Sequence, residues 1–248
     1  MCLHIFLHKV FPLLSKIRKT NFFDAATGET YKGYKEEGYL PEAFVNFLAL
    51  LGWSPSDDKE ILSLEEMAAE FDLHKVHKAG ARFSKEKAEW FNHQYLQKQS
   101  NEELLESFKN LEETKNINLS DKTLLKIIGL MKERATFVKD IYTQGKFFFE
   151  APASYDEKAV KKAWNEETAS IMTELSEKLN STEFKSEILK EEIHHLVEEK
   201  GLGFGKVMMS LRLALVGELK GPDVPDLLEI LGKKESLTRL KLAIEKIK

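Results

Sequence analysis

The sequence predicts a nearly all-α protein, built as an elongated array of helical subdomains. In most segments after residue 40, apolar residues recur at the spacing of an amphipathic helix. Residues that start and stop helices, such as the Ser63–Glu66 capping box and Gly217, separate these segments. Strand candidates are confined to the first 40 residues. The composition, with 42% hydrophobic and 31% charged residues, is typical of a globular chain.

Residues 1–39 form the least helical part of the chain. Residues 10–13 are typical of a short extended piece, and residues 24–29 are typical of a turn. Gly33 and Gly38 bracket a loop or a brief turn.

Four helices are predicted over residues 41–108. The first begins at Pro41, because proline suits the first helical turn. The second opens at the Ser63–Glu66 capping box, and the other two begin at Ser84 and Asn101.

The rest of the chain is predicted to be helix after helix. The predicted helices cover these residues: 121–138, 156–180, 183–200, 205–216, 227–231 and 233 to the C-terminus. Asp121 is predicted to cap the first of them, Ser181-Thr182 the third and Asp223 the fifth. Gly232 separates the last two.

A cationic corner lies near the C-terminal end. Residues 201–248 carry nine Lys/Arg and six Asp/Glu, a net charge of +3, although the whole chain has a net charge of −4. The helix over residues 205–216 is followed by the turn Gly221-Pro222-Asp223 and contains Arg212. A local cationic surface in an acidic chain indicates an anionic partner. An ordinary helical corner with solvated cations is the alternative interpretation.

Several functional classes find no support in the sequence. A single cysteine, Cys2, allows no internal disulfide and fits a reducing compartment. No apolar run approaches the length of a membrane span, so a cytoplasmic protein that does not bind membranes is expected. The phosphate-binding patterns GxxxxGK[ST] and GxGxxG are absent.

Other candidate site residues are also interpreted as structural. His74 and His77 lack a third ligand nearby, so no metal site is predicted. The three tryptophans fall on apolar stripes and are predicted to lie in the core: Trp53, Trp90 and Trp164. No catalytic residue is predicted.

Three segments in collinear order carry a resemblance to a known family. Residues 38–55 (GYLPEAFVNFLALLGWSP) are the first, and residues 83–96 are the second. The third is the corner itself, followed by residues 230–235 (ILGKKE). Over roughly residues 30–248 the chain resembles the C-terminal half of bacterial glutamyl-tRNA synthetases, which are class I aminoacyl-tRNA synthetases.

The resemblance implies a division into three parts. Residues 1–98 would be a remnant of the stem-contact region, and residues 99–153 and 154–248 would be two anticodon-binding subdomains. In relatives, the arginine that matches Arg212 faces the anticodon, and further anticodon contacts fall at Gly221, Pro222 and Val224. Arg134 matches the arginine that reads the third anticodon base in glutamate-specific members, which favours recognition of tRNA(Glu) alone over a parent that also charges tRNA(Gln).

The chemistry of these side chains agrees with that interpretation. Unstacked anticodon bases expose their Watson–Crick edges, and the planar donor fork of Arg212 fits the acceptor edge of a base. Lysines such as Lys206 and Lys220 suit phosphate.

The chain departs from the family pattern in several places. The catalytic half with its HIGH motif is absent, as is the lysine-rich KMSKS-like loop. Ser210 replaces the usual proline of the corner motif, and Val216 replaces the usual threonine.

From the resemblance we expect a tRNA-binding chain that is inactive alone. Its expected partners are tRNA(Glu) and the catalytic half of the parent enzyme, and a monomer is expected. No cofactor is expected in this chain, whereas the parent enzyme would use ATP and Mg²⁺. The alternative is a helical module that docks a protein partner with the same fold.

Overall fold

The computed structural model describes residues 21–24, 29–77 and 83–247. Within them it contains twelve α-helices, three 3-10 helices and one two-stranded hairpin. The nearly all-α class is therefore confirmed, and the hairpin lies in the segment that the sequence marks as least helical. Cys2 and the extended piece predicted at residues 10–13 lie outside the described residues. No described helix is long and apolar enough to cross a membrane.

The hairpin pairs β1 (Asn21–Asp24) with β2 (Glu29–Lys32) in antiparallel register, with Phe22 opposite Tyr31. The helices are α1 Tyr34–Glu37, α2 Pro41–Leu50, α3 Leu64–Glu70, α4 Lys85–Lys98, α5 Asn101–Lys109, α6 Asp121–Lys132, α7 Val138–Gln144, α8 Glu157–Ala163, α9 Glu166–Ser181, α10 Ser186–Glu199, α11 Phe204–Val216 and α12 Val224–Lys246. The 3-10 helices are Leu73–Lys75, Glu112–Thr114 and Lys146–Phe148.

The chain divides into two compact units, and each has its own core. The first unit holds the described residues up to Leu111 together with Lys132–Ile141. In it, α2 packs against α4 around an aromatic cluster that includes Phe44, Phe47 and Phe91. These rings are at most 6% exposed, so their burial supplies much of the hydrophobic stabilisation of this unit.

The predicted starts of α2 and α3 are confirmed. Pro41 occupies the first turn of α2. At α3, Ser63 Oγ accepts the backbone N–H of Glu66 at 3.1 Å, and the Glu66 carboxylate accepts the N–H of Ser63 at 2.7 Å. Both ends of the capping box are thus formed.

The second unit holds residues 112–131 and 142–247, in which α12 packs against α9, α10 and α11. Its core includes Met172, Leu211 and Leu227, each 0% exposed. Arg239 is also buried, and its Nη1 donates to the carbonyl oxygens of Phe147 at 2.6 Å and Leu215 at 2.9 Å. A buried guanidinium whose donors are satisfied in this way ties α12 to the end of α11.

The single helix predicted over residues 121–138 is wrong, because α6 ends at Lys132 and the next helix, α7, begins only at Val138. The backbone N–H groups of Thr136 and Phe137 donate to the carboxylate of Asp140 at 2.9 and 2.8 Å. These bonds satisfy N–H groups at the start of α7 that an uninterrupted helix would have bonded to its own carbonyls.

The single helix predicted over residues 156–180 is likewise divided, into α8 and α9. Asn165 lies between them in an extended conformation, and its Oδ1 accepts the N–H of Thr168 at 2.8 Å. Asparagine is among the preferred N-caps, so a new helix starts there.

Two predicted caps are wrong. Ser120, and not Asp121, caps α6, because its Oγ accepts a backbone N–H of the first turn at 3.2 Å. The helix predicted from residue 183 begins instead at Ser186, whose N–H donates to Glu229 Oε2 of α12 at 2.7 Å. A carboxylate from a distant part of the sequence thus decides where α10 begins.

The predicted helix boundaries of the C-terminal region are confirmed. Gly217 ends α11, Asp223 caps α12, and Gly232 interrupts α12 with a non-helical conformation. The three-part division into residues 1–98, 99–153 and 154–248 stays a prediction.

Candidate functional site

The candidate site is the corner between α11 and α12. α11 buries Val207, Leu211 and Leu215, which recur at helical spacing and form its apolar face. At its end, Gly217 has a φ of +87°, and its N–H donates to Leu213 O at 2.8 Å. The carbonyl of Gly217 accepts the N–H of Asp156 at 2.8 Å. Hydrogen bonds at both its N–H and its carbonyl therefore fix the position of Gly217, where the corner begins.

Arg212 spans the inside of this corner. Its Nη2 donates to Pro222 O at 2.9 Å, and its Nη1 lies 3.5 Å from Leu219 O. A guanidinium carries five N–H donors, so each terminal nitrogen keeps a second donor. Nε is buried and has no hydrogen-bond partner in the described part of the chain. Arg212 thus holds the turn in place and is itself half-buried.

The other residues predicted to contact the anticodon differ in exposure. Gly221 is partly exposed, whereas Pro222 is buried and Val224 is 0% exposed. The side chain of Val224 packs in the core, so it is not available for a contact with a ligand in this conformation. The exposed part of the corner consists of Glu218, Lys220 and Asp223.

The two predicted phosphate-binding lysines are both exposed. Lys206 Nζ lies 3.2 Å from Glu167 Oε2, and both side chains of this ion pair are solvent-accessible. Lys220 forms no hydrogen bond or ion pair with any other described residue. Because exposed ion pairs are weak, Lys206 can exchange its carboxylate partner for a phosphate at little cost.

Ser210, which departs from the family pattern, has a structural role that the sequence does not reveal. Its side chain is 0% exposed, and Oγ donates to Ala163 O at 2.6 Å. Ala163 is the last residue of α8, so this bond satisfies a carbonyl that the helix end leaves free. Ser210, in place of the proline of the family pattern, therefore links α11 to the end of α8.

Arg134 belongs to the first compact unit. It is exposed in the turn that follows α6. Three side chains of α4 bond the carbonyls of this turn: Asn92 donates to Thr136, His93 Nδ1 lies 2.9 Å from Ala135 O, and Gln97 donates to Lys132 at 2.6 Å. A carbonyl only accepts, so Nδ1 of His93 carries the proton. The turn that carries Arg134 is thus held by a rigid helix.

The histidine and tryptophan side chains interpreted from the sequence as structural differ in their surroundings. Among the described residues there is no group of three or more His, Cys, Asp or Glu side chains that could hold a metal ion. Of the two predicted structural histidines, His77 bonds Ser54 Oγ at 3.0 Å. Trp90, predicted to lie in the core, is 36% exposed with Lys87 Nζ 4.1 Å from its ring centre, so that prediction is wrong. Trp53 is buried as predicted.

Comparisons with known proteins agree with this geometry. Residues 86–244 match the family model described as "Anticodon binding domain". Residues 13–90 match the model described as "tRNA synthetases class I (E and Q), catalytic domain".

Curated relatives match almost the whole chain. A glutamate–tRNA ligase of Porphyromonas gingivalis is 46% identical over 95% of this chain and 46% of its own length. One of Christiangramia forsetii is 45% identical over 96% of this chain and 46% of its own length. The chain therefore spans about half the length of the curated relatives that it matches.

Solved structures give the same result. A glutamate tRNA ligase from Elizabethkingia meningosepticum, solved in complex with its amino acid, superposes with a TM-score of 0.88 at 67% identity, covering 92% of this chain and 45% of that chain. The glutamate-tRNA synthetase from Elizabethkingia anophelis gives a TM-score of 0.83 at 65% identity, covering 91% and 45%.

Proposed function

Because the chain belongs to the glutamate–tRNA ligase family and contains that family's anticodon-binding domain, we propose that it is the tRNA-recognition part of such a ligase. The observation that carries the proposal is the corner around Arg212, where a guanidinium with unused donors bonds the turn that carries the exposed Lys220. Anticodon bases are unstacked, so their edges are accessible to such donors. The corner reads the anticodon, and the lysines bind phosphate.

The bonds of Arg212 to the backbone support a reading role. A side chain that is fixed before binding loses little conformational entropy when it bonds a base. Each terminal nitrogen of Arg212 uses one N–H to bond a carbonyl of the turn and keeps a second N–H. The same guanidinium can therefore hold the turn and donate hydrogen bonds to the edge of a base. Arg134 reads the third base from the turn that α4 holds. Recognition of tRNA(Glu) alone, and not of tRNA(Gln), follows from that assignment.

The partners and cofactors of the parent protein follow from the same proposal. The chain positions tRNA(Glu) for ATP-dependent glutamylation by the catalytic half of the parent enzyme, and it acts as a monomer in the cytoplasm. In this proposal ATP and Mg²⁺ are bound by the parent enzyme, as the family resemblance implies.

Filter binding of the full chain tests the proposal. The RNAs are tRNA(Glu), tRNA(Gln) and a tRNA(Glu) with a swapped anticodon, at two salt concentrations. We expect tRNA(Glu) to bind best and binding to weaken with salt. Arg212→Ala should remove the preference for the correct anticodon, a loss on the order of 10- to 100-fold given the usual value of a bidentate base contact. Arg212→Lys keeps the charge but lacks the fork, so it should restore affinity without restoring the preference. Lys241→Ala, an exposed lysine of α12, is the control.

Other results would contradict the proposal in different ways. Absence of salt-sensitive tRNA binding would favour the alternative, a helical module that docks a protein partner. Binding that ignores both the anticodon swap and Arg212→Ala would move the site elsewhere. ATP–pyrophosphate exchange by this chain alone would show that it carries catalytic activity.

A further inference from the structure

The short helix α8 presents an unpaired basic face. Lys158, Lys161 and Lys162 stand at positions i, i+3 and i+4, which lie on the same side of a helix. All three side chains are exposed, and none forms an ion pair or hydrogen bond with another described residue. The opposite side of α8 is buried through Ala159 and Ala163.

Both ends of α8 are tied to α11. At the start, the N–H of Asp156 donates to Gly217 O at 2.8 Å, where the corner begins. At the end, Ala163 O accepts from Ser210 at 2.6 Å. α8 therefore lies along the C-terminal half of α11 in the opposite direction, and Lys158 follows closely after the residue that contacts the corner.

The charges on this face oppose the stability of the helix. Like charges at i, i+3 and i+4 repel one another. Lys158 also lies in the first turn, where the helix dipole disfavours a cation, although Lys161 and Lys162 in the last turn are favoured. The chain as a whole is acidic, with a net charge of −4, yet no described carboxylate lies within ion-pair distance of these lysines. A polyanion bound along the face would remove the repulsion.

We propose that Lys158, Lys161 and Lys162 form a phosphate-binding face, which contacts the backbone of the same RNA whose anticodon the corner reads. The inference rests on the proposed function, since it assigns a further set of contacts to the same ligand. Phosphate contacts position a nucleic acid and supply affinity that is independent of sequence, whereas base contacts supply selectivity. The α8 face therefore adds affinity and salt dependence to those of Lys206 and Lys220, and Arg212 at the corner sets the preference for the anticodon.

The test compares two triple variants of the full chain with equal changes in net charge. The first is Lys158→Ala/Lys161→Ala/Lys162→Ala. The control removes three exposed lysines of α12, Lys234, Lys241 and Lys246. Filter binding of tRNA(Glu) is measured between about 50 and 200 mM salt for both variants and for the unchanged chain. Since alanine is the best helix former, α8 should stay folded, and circular dichroism checks this.

If each lysine neutralises one phosphate, the α8 variant should lower the slope of log affinity against log salt by about 2 to 2.7. The ratio of the affinity of the unchanged chain to that of the α8 variant then falls by about 20- to 40-fold between about 50 and 200 mM salt. The control should change the slope by much less. The preference for the correct anticodon over the swapped one should survive in the α8 variant, because Arg212 is untouched.

The outcomes separate the inference from the proposed function. One outcome is that the unchanged chain prefers the correct anticodon while the α8 variant keeps the salt slope of the unchanged chain or has the same slope as the α12 control. In that case the α8 inference is wrong and the proposed function stands. If the α8 variant loses secondary structure, the three single Lys→Ala variants are measured instead, each with an expected slope change of about 0.7 to 0.9. If the unchanged chain binds no tRNA, both are wrong.

Discussion

Replacing Gly217 by alanine should destabilise the second unit by about 2 to 4 kcal/mol, and the structure shows the origin of each part. The φ of +87° places an L-residue in the left-handed region, at a cost of about 1 to 2 kcal/mol. A Cβ at this position would lie 2.7 Å from Ser154 O and 2.8 Å from Pro152 Cβ, so the backbone has to move. That movement would break the bond from Asp156 N–H to Gly217 O, which is worth about 1 kcal/mol.

Gly201→Ala is the matched control. Gly201 follows α10 with a φ of +62°, and a Cβ there would meet no atom within 4 Å. This substitution should therefore cost only the conformational part, about 1 to 2 kcal/mol. Because the chain has two units, a single unfolding midpoint mixes their stabilities. Native-state hydrogen exchange of peptides from residues 154–164 and 204–217 measures the second unit directly. Equal losses for the two variants, within about 0.5 kcal/mol, would refute the close-contact explanation.

Three further predictions concern stability and selectivity. Arg239→Leu leaves two buried carbonyls without donors and should destabilise the second unit by about 2 to 5 kcal/mol, measured by the same exchange experiment; a loss below about 1 kcal/mol would contradict it. The hydrogen bond from Lys126 lowers the pKa of Glu229 below its ordinary value of 4.5, so its contribution to stability is present above that pH and disappears as the pH falls through the lowered pKa. With Glu229→Gln, the free energy of unfolding should fall less between pH 6 and pH 3 than it does for the unchanged chain. An equal fall for the two proteins over that pH range would argue against this explanation. Arg134→Gln should reduce discrimination at the third anticodon base on the order of 10-fold or more, measured by filter binding with base-substituted tRNAs, without affecting discrimination at the other two.

The elements with local signals could be predicted from the sequence. Pro41, the Ser63–Glu66 capping box, Gly217 and Asp223 each act on residues one to four positions away, so their effects can be seen in the order of the residues. The apolar faces of α11 and α2 follow from helical periodicity in the same way. The resemblance to glutamyl-tRNA synthetases also lies in contiguous motifs.

The errors have long-range or ambiguous causes. The first predicted long helix stops early because the N–H groups of Thr136 and Phe137 bond Asp140, and the second is divided because Asn165 caps a new helix within it. Trp90 continues the apolar stripe of α4, but its side of the helix faces solvent. Periodicity shows which residues share a face and does not show what packs against that face.

The helical class, the positions where most helices stop, the cations of the corner and the family could be predicted from the order of the residues, because all of these depend on near neighbours in the chain. Contacts that form only on folding show that Glu229 sets the start of α10, that Ser210 links α8 to α11, and that Arg212 bonds the carbonyls of its own turn. It also placed Val224 in the core. Each of these depends on groups that meet only after the chain has folded, since the free energy of a hydrogen bond or of burial depends on distance in space and not on distance along the chain.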